Sequence, residues 1–262
     1  MTGSEFVRRY GSSGQAAWEN AALELAKNGE LTPRKWTDIT LSDGQNTAII
    51  KVQNDFLAIG PANNSIRLPL SPTAAQNILN LSGSLLPTAH IVSQIHRNAP
   101  LKLNPTPLSP NRGPNLNQFY EHSRILDNQI RNSDSLPSGA KKHVIVSNIY
   151  RPGKVVIVGW YRPNGQFIQD KSNIHDSNYV DYSHGIQAVH GLSKVNGQTM
   201  LTADLYQHPT LSRLVLDEGP IRVTRYPSNV PVATAKDETN TLVWGLLGLS
   251  ILGIGYYFWK KR

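Results

Sequence analysis

Apolar and polar positions along this chain switch between two periods. Over 13–28, Trp18, Ala22 and Leu25 recur at helical spacing among alanines and Gly29 follows, which predicts a helix capped by Ser12 or Ser13. That spacing makes Trp18 a core anchor. A two-residue period then takes over at 36–41, 47–52, 56–59 and 66–70, with turn signatures at Ser42-Asp43-Gly44-Gln45 and Asn54-Asp55. These runs predict an antiparallel meander. Ser71-Pro72 supplies the cap and first position of a second helix closed by Gly83, and Thr88 caps a third over 89–98. On that helix His90 and His96 are six apart and point about 120° from one another, so they read as ordinary helix residues.

Pro100, Pro105, Pro107, Pro110 and Pro114 make 100–118 an extended connector, because proline fixes φ and removes a donor. A helix over 117–131 carries Phe119, Ile125, Leu126 and Ile130, with Glu121 and His122 read as its surface charge. Strands are predicted at 143–149 and 154–162, with a return at 166–168 from the Asn164-Gly165 turn, and a longer strand at 179–192. Asn196-Gly197 is a further hairpin signal, a helix over 203–216 is interrupted by Pro209, and 221–226 reads as a last strand. The fold class is α+β, with largely antiparallel sheets and packed helices. Its parts are a helix and meander region (1–99), the connector, a β-rich region (119–226) and a tether (227–240).

The last segment has neither period. From 241 to 259 no charge interrupts the apolar run, and at about 1.5 Å per residue it matches a hydrocarbon core of roughly 30 Å. Trp244 lies near one end, Tyr256, Tyr257 and Trp259 near the other, and Lys260-Lys261-Arg262 stop it. A C-terminal transmembrane helix is therefore expected, making the protein a single-pass membrane protein with a lipid bilayer as partner. No apolar run marks a signal peptide near residue 1, which predicts a tail anchor. Arg222, Arg225 and Lys236 balance the three basic residues beyond the span, so sidedness stays open between a cellular and a virion membrane.

The chain has 262 residues and no cysteine, which excludes disulfides, thiol nucleophiles and cysteine-based zinc sites. Its formal charge is +8, yet lysine and arginine are scattered, the densest pairs being Arg8-Arg9 and Lys141-Lys142. No basic patch has interleaved aromatics, so an anionic envelope polymer or a protein partner fits better than nucleic acid.

Candidate chemistry concentrates in one stretch, where His175, Asp176, Asp181, Tyr182, Ser183 and His184 fall within ten positions. Imidazole with carboxylate suits acid–base work or metal binding near neutral pH. If 179–190 is extended, Asp181 and Ser183 share one face and Tyr182, His184 and His190 the other, with His184 and His190 about 20 Å apart. Ser183 and His184 then point oppositely and form no nucleophile–base pair. The surviving catalytic set is His184, Asp181, His175 and Tyr182. As metal ligands His184, His175 and Asp176 are the candidates, with zinc as the metal.

Gly159-Trp160-Tyr161-Arg162-Pro163-Asn164-Gly165, Tyr179-Val180-Asp181-Tyr182-Ser183-His184-Gly185 and Asp217-Glu218-Gly219-Pro220 also carry a resemblance. In that order they resemble segments of uncharacterised bacterial proteins, often extracellular. The resemblance implies that His184 lies in a shared segment and transfers no activity. Two functions follow as expectations: a membrane-tethered hydrolase acting on an envelope polymer such as peptidoglycan, or a non-enzymatic envelope or virion docking protein.

Overall fold

The computed structural model describes residues 1–131, 133 and 135–236. Its first element, α1 (Gly3–Tyr10), is one the apolar pattern did not mark. Thr2 Oγ1 accepts the Glu5 amide at 3.2 Å and Glu5 accepts the Thr2 amide at 2.7 Å, a reciprocal capping box. Helix α2 (Gln15–Lys27) buries Trp18, Ala22 and Leu25 as its spacing requires, although Gly14 takes the capping position without a side-chain bond. Trp18 meets Phe119 edge-on at 5.8 Å between centroids.

Strands β1 (Trp36–Ser42) and β2 (Thr47–Gln53) form the expected hairpin, and β3 (Ala58–Ile59) pairs with β4 (Ile66–Arg67). Ser71 Oγ caps α3 (Pro72–Asn80) and Thr88 Oγ1 caps α4 (Ala89–Asn98). Then come β5 (Leu101–Lys102), α5 (Leu116–Ile130), β6 (Pro137–Ser138), β7 (Lys142–Val144), β8 (Ile157–Tyr161) and β9 (Phe167–Ser172). The series ends with β10 (His184–Gly185), β11 (Leu192–Val195), β12 (Gln198–Leu201) and α6 (Thr202–Gln207).

Two sheets organise these elements, in the orders β1-β2-β11-β12 and β10-β7-β8-β9. All pairings are antiparallel except β10 with β7 and β5 with β6. The first sheet takes two strands from each side of the proline connector. One apolar core likewise holds Phe6, Ile50, Phe119, Val146, Ile186 and Tyr206, so the connector wraps a shared core.

Inside that core lies an ion-pair network. Arg67 forks onto Asp55 (Nε–Oδ1 3.0 Å, Nη2–Oδ2 2.7 Å) and reaches Asp127 of α5 through Nη1 at 2.8 Å. Arg34 adds a contact to Asp55 at 3.2 Å. The Arg67 backbone amide also donates to Ser123 Oγ on α5 at 2.9 Å.

Several expectations are corrected. Most of the 179–192 strand is loop, because the Asp181 carbonyl accepts the His184 amide at 3.1 Å and turns the chain before β10. No strand forms at 221–226. There Arg225 donates to Gly83 O, Ser84 O and Asn80 Oδ1 at 2.9, 2.6 and 2.9 Å, and these side-chain bonds fix the segment instead of a ladder. The 203–216 helix stops before Pro209 and resumes as a 3-10 turn, Leu211–Leu214. The described part of the tether is docked. Asn80 binds Ser228, Val230 and Ala233 at 2.8–2.9 Å, and a Cβ on Gly83 would stand 2.5 Å from the Ala233 carbonyl.

The transmembrane part of the fold class is also corrected. Among the described residues no helix is long and apolar enough to cross a membrane. The longest of them, α5, has 15 residues and carries Glu121, Arg124 and Asp127. The run 241–259 on which that expectation rested lies outside the described residues.

Burial raises the Asp55 carboxyl, but Arg67 and Arg34 outweigh it and hold it below the usual range. A depressed carboxylate contributes stability that is full above about pH 3.9 and is lost as pH falls through the folded value. Arg67→Met, which leaves Asp55 with Arg34 alone, is expected to lower unfolding free energy at pH 7 by about 3–5 kcal/mol and to flatten its acid dependence. Urea titration at several pH values measures both.

Candidate functional site

The site is built where β7, β8, β10 and the Asp181 turn meet. Lys142 N donates to Ser183 O at 2.7 Å and Trp160 N to Lys141 O at 3.1 Å, which brings the three segments side by side. A Cβ on Gly185 would lie 2.4 Å from the Phe56 ring and 2.9 Å from Lys141 Cδ, so only glycine permits this approach.

Asp181 is 1% exposed and almost fully engaged. One carboxylate oxygen accepts from Ser183 N at 2.8 Å and from Ser183 Oγ. The other accepts from Tyr179 OH at 2.9 Å and from Asn111 Nδ2 at 3.1 Å, with Lys142 Nζ 3.9 Å away. Burial opposes its charge, yet His184, Lys142 and the Ser183 bonds hold the carboxyl well below its ordinary value. The Ser183 hydroxyl thus serves Asp181, in keeping with the absence of a Ser183–His184 pair.

His184 is the counterpart. It is 0% exposed and neither ring nitrogen has a hydrogen-bond partner. Burial pulls its pKa down to about 4, with the Asp181 charge acting partly against it. An unpaired, neutral, buried imidazole keeps one nitrogen as donor and one as acceptor. Such an arrangement costs free energy unless something else is bound there.

His175 approaches only indirectly. Its ring stacks on Tyr179 (4.0 Å, 9°), and Tyr179 in turn lies 5.6 Å from the His184 ring, so tyrosine separates the two imidazoles. The metal set is corrected on this geometry. Asp176 is exposed and pairs with Lys154 at 2.7 Å, and no group of three His, Asp or Glu among the described residues could hold a metal ion. Zinc therefore has no assembled ligand set here.

Tyr182 faces inward, its hydroxyl accepting Leu108 N at 2.9 Å and its ring meeting His122 at 5.1 Å and Trp160 at 6.4 Å. Sequence reasoning missed these neighbours. His122 is a buried group, 0% exposed, while Glu121 beside it is exposed as expected. The spacing Phe119, His122, Leu126 on one helical stripe was the available signal. Trp160 adopts φ of 60° after Gly159, carries an unpartnered Nε1 and lies under Lys142 Nζ at 5.4 Å. A non-glycine residue in this region stores about 1–3 kcal/mol of strain, which a functional site tolerates more readily than an ordinary strand.

Lys141 is the largest departure from expectation. The side chain is 0% exposed, with Nζ donating to Tyr182 O at 2.6 Å. Burial draws its pKa down to about 7 and Arg67 adds to this, against Asp181 and Asp55. Adjacent lysines entering a strand point to opposite faces, so one of the pair had to turn inward. Over these groups runs the proline connector, whose Leu108 amide and Asn111 side chain bind Tyr182 and Asp181. In this arrangement the site is closed.

No family model, curated protein or solved structure matches the chain, so the site is interpreted from its own geometry.

Lys141 yields a pH signature. Its folded pKa lies below the ordinary value of about 10.4, so between about 7 and 10.4 the unfolded chain binds the extra proton and stability rises with pH. Lys141→Met is expected to flatten that rise, measured by denaturant unfolding from pH 6.5 to 9.5.

Proposed function

We propose that this chain is a hydrolase with His184 as its proton-transfer group, acting on an anionic envelope polymer such as peptidoglycan. The observation that carries this reading is the pair of buried, unpartnered ring nitrogens of His184 beside a saturated Asp181. Neutral imidazole accepts a proton from water as the water oxygen attacks the scissile bond, then returns it to the leaving group. Asp181 favours the transient imidazolium through its charge, and Lys142 and the Ser183, Tyr179 and Asn111 bonds keep that carboxylate ionised. The +8 formal charge supports an anionic substrate, and the resemblance to often extracellular proteins supports an envelope location.

Sealing of the site favours a second reading, that of a non-enzymatic envelope or virion protein that docks through its surface. Asn111 separates the two, because it ties the connector to the carboxylate. Incubation of the purified chain with peptidoglycan sacculi, followed by assay of solubilised fragments, is expected to show release that rises as pH passes about 4. His184→Ala should lower that rate about 10²–10⁴-fold with an unchanged circular dichroism spectrum. Asn111→Ala should raise it by loosening the cover. Silence from both wild type and Asn111→Ala would sink the hydrolase and leave the docking reading.

A further inference from the structure

Two depressions lie beside the sheet formed by β1, β2, β11 and β12. Trp36 opens the edge strand β1, opposite Gln53 in the β1–β2 register, and is only partly buried. His190 stands perpendicular to it, 5.1 Å between centroids at 87°. A perpendicular neighbour covers at most one of the two indole faces. His190 Nδ1 lies 3.1 Å from the Leu192 amide nitrogen and 3.3 Å from the Leu192 carbonyl oxygen, so the backbone engages that ring nitrogen.

Two depressions meet at His190. One, of about 700 Å³, is lined by Trp36, Gln53, Ser82, Thr234 and Lys236 among others. Its neighbour, of about 100 Å³, adds Lys51, Lys194 and Thr199, together with Asp38. Together they form a trough that presents a planar aromatic, hydroxyl and amide groups, and three lysines against one carboxylate. That carboxylate is met by Lys51 at 3.2 Å. Gln53 Oε1 is buried without a hydrogen-bond partner.

We propose that this trough binds an acidic glycan chain. An indole face takes the C–H face of a pyranose ring, the amide, hydroxyl and imidazole groups bond to its hydroxyls, and lysine ammonium groups meet its carboxylates. Single-stranded nucleic acid suits it less. Successive bases need several stacking platforms, whereas the trough offers one, and phosphate recognition favours the arginine fork that it lacks. The proposal does not use the His184 site, so the two can fail separately.

Titration calorimetry on the full chain with hexagalacturonate, chitohexaose and a twelve-nucleotide single-stranded DNA tests it. Hexagalacturonate is expected to bind most tightly. Trp36→Ala should weaken it at least 10-fold and Lys194→Glu/Lys236→Glu to the level of the neutral sugar, while His184→Ala leaves it unchanged. The lysine variants lie on the surface and report on the trough even if loss of Trp36 disturbs the strand. Absence of glycan binding by the wild-type chain, indifference to the lysine substitutions, or tighter binding of the DNA would overturn the proposal.

Discussion

Arg67 holding Asp55 and Asp127 is the constraint on which the rest of the molecule hangs. Three charges and the Arg34 guanidinium sit in or near the interior, where an unpaired ion is far costlier than any packing defect. The network satisfies them only if β4, the 54–56 turn, the 31–35 segment and α5 occupy one relative position. Because α5 also carries Phe119 and His122, the same constraint fixes the wall against which Tyr182 and Trp18 pack. A buried ion pair of this kind adds little net stability compared with apolar residues of similar volume. Its geometry ties α5 to β4, since a shift of α5 by one turn would take Asp127 away from Arg67.

Polar satisfaction is distributed unevenly around the site. Asp181 gathers four hydrogen bonds, while His184 and Trp160 hold buried ring nitrogens without a hydrogen-bond partner. Native interiors rarely leave so many donors and acceptors unmet within one neighbourhood. The fold invests its bonds in keeping a carboxylate charged and spends few on the rings around it.

Local rules made much of the fold legible. Ser71, Thr88 and the Asn196-Gly197 turn were read from short-range chemistry, and the structure has the caps and the hairpin. Thr2 and Glu5 encode α1 just as locally, but a capping box without an apolar stripe is easily passed over. The extended reading of 179–192 failed for a different reason. Alternation is a prior on strands, and the Asp181 carboxylate binding its own chain two residues on overrides it. His184 and Asp181 were legible as candidate chemistry and lie close enough for their charges to couple, while the Tyr182 ring turns to His122 and Trp160. Asp176 was equally suggestive by type and ends at the surface on Lys154. The inward turn of Lys141 depends on contacts with Gly185 and Tyr182, more than forty residues away, which no local pattern encodes.

The docked segment after Tyr226 changes how the chain can be reached from beyond residue 236. Ten residues of extended backbone would otherwise give a leash of roughly 35 Å. Pinned on Asn80 and running past Gly83, they give almost none, and they end beside Lys236 at the rim of the Trp36 trough. The described chain therefore leaves the fold at a fixed point, at the rim of that trough.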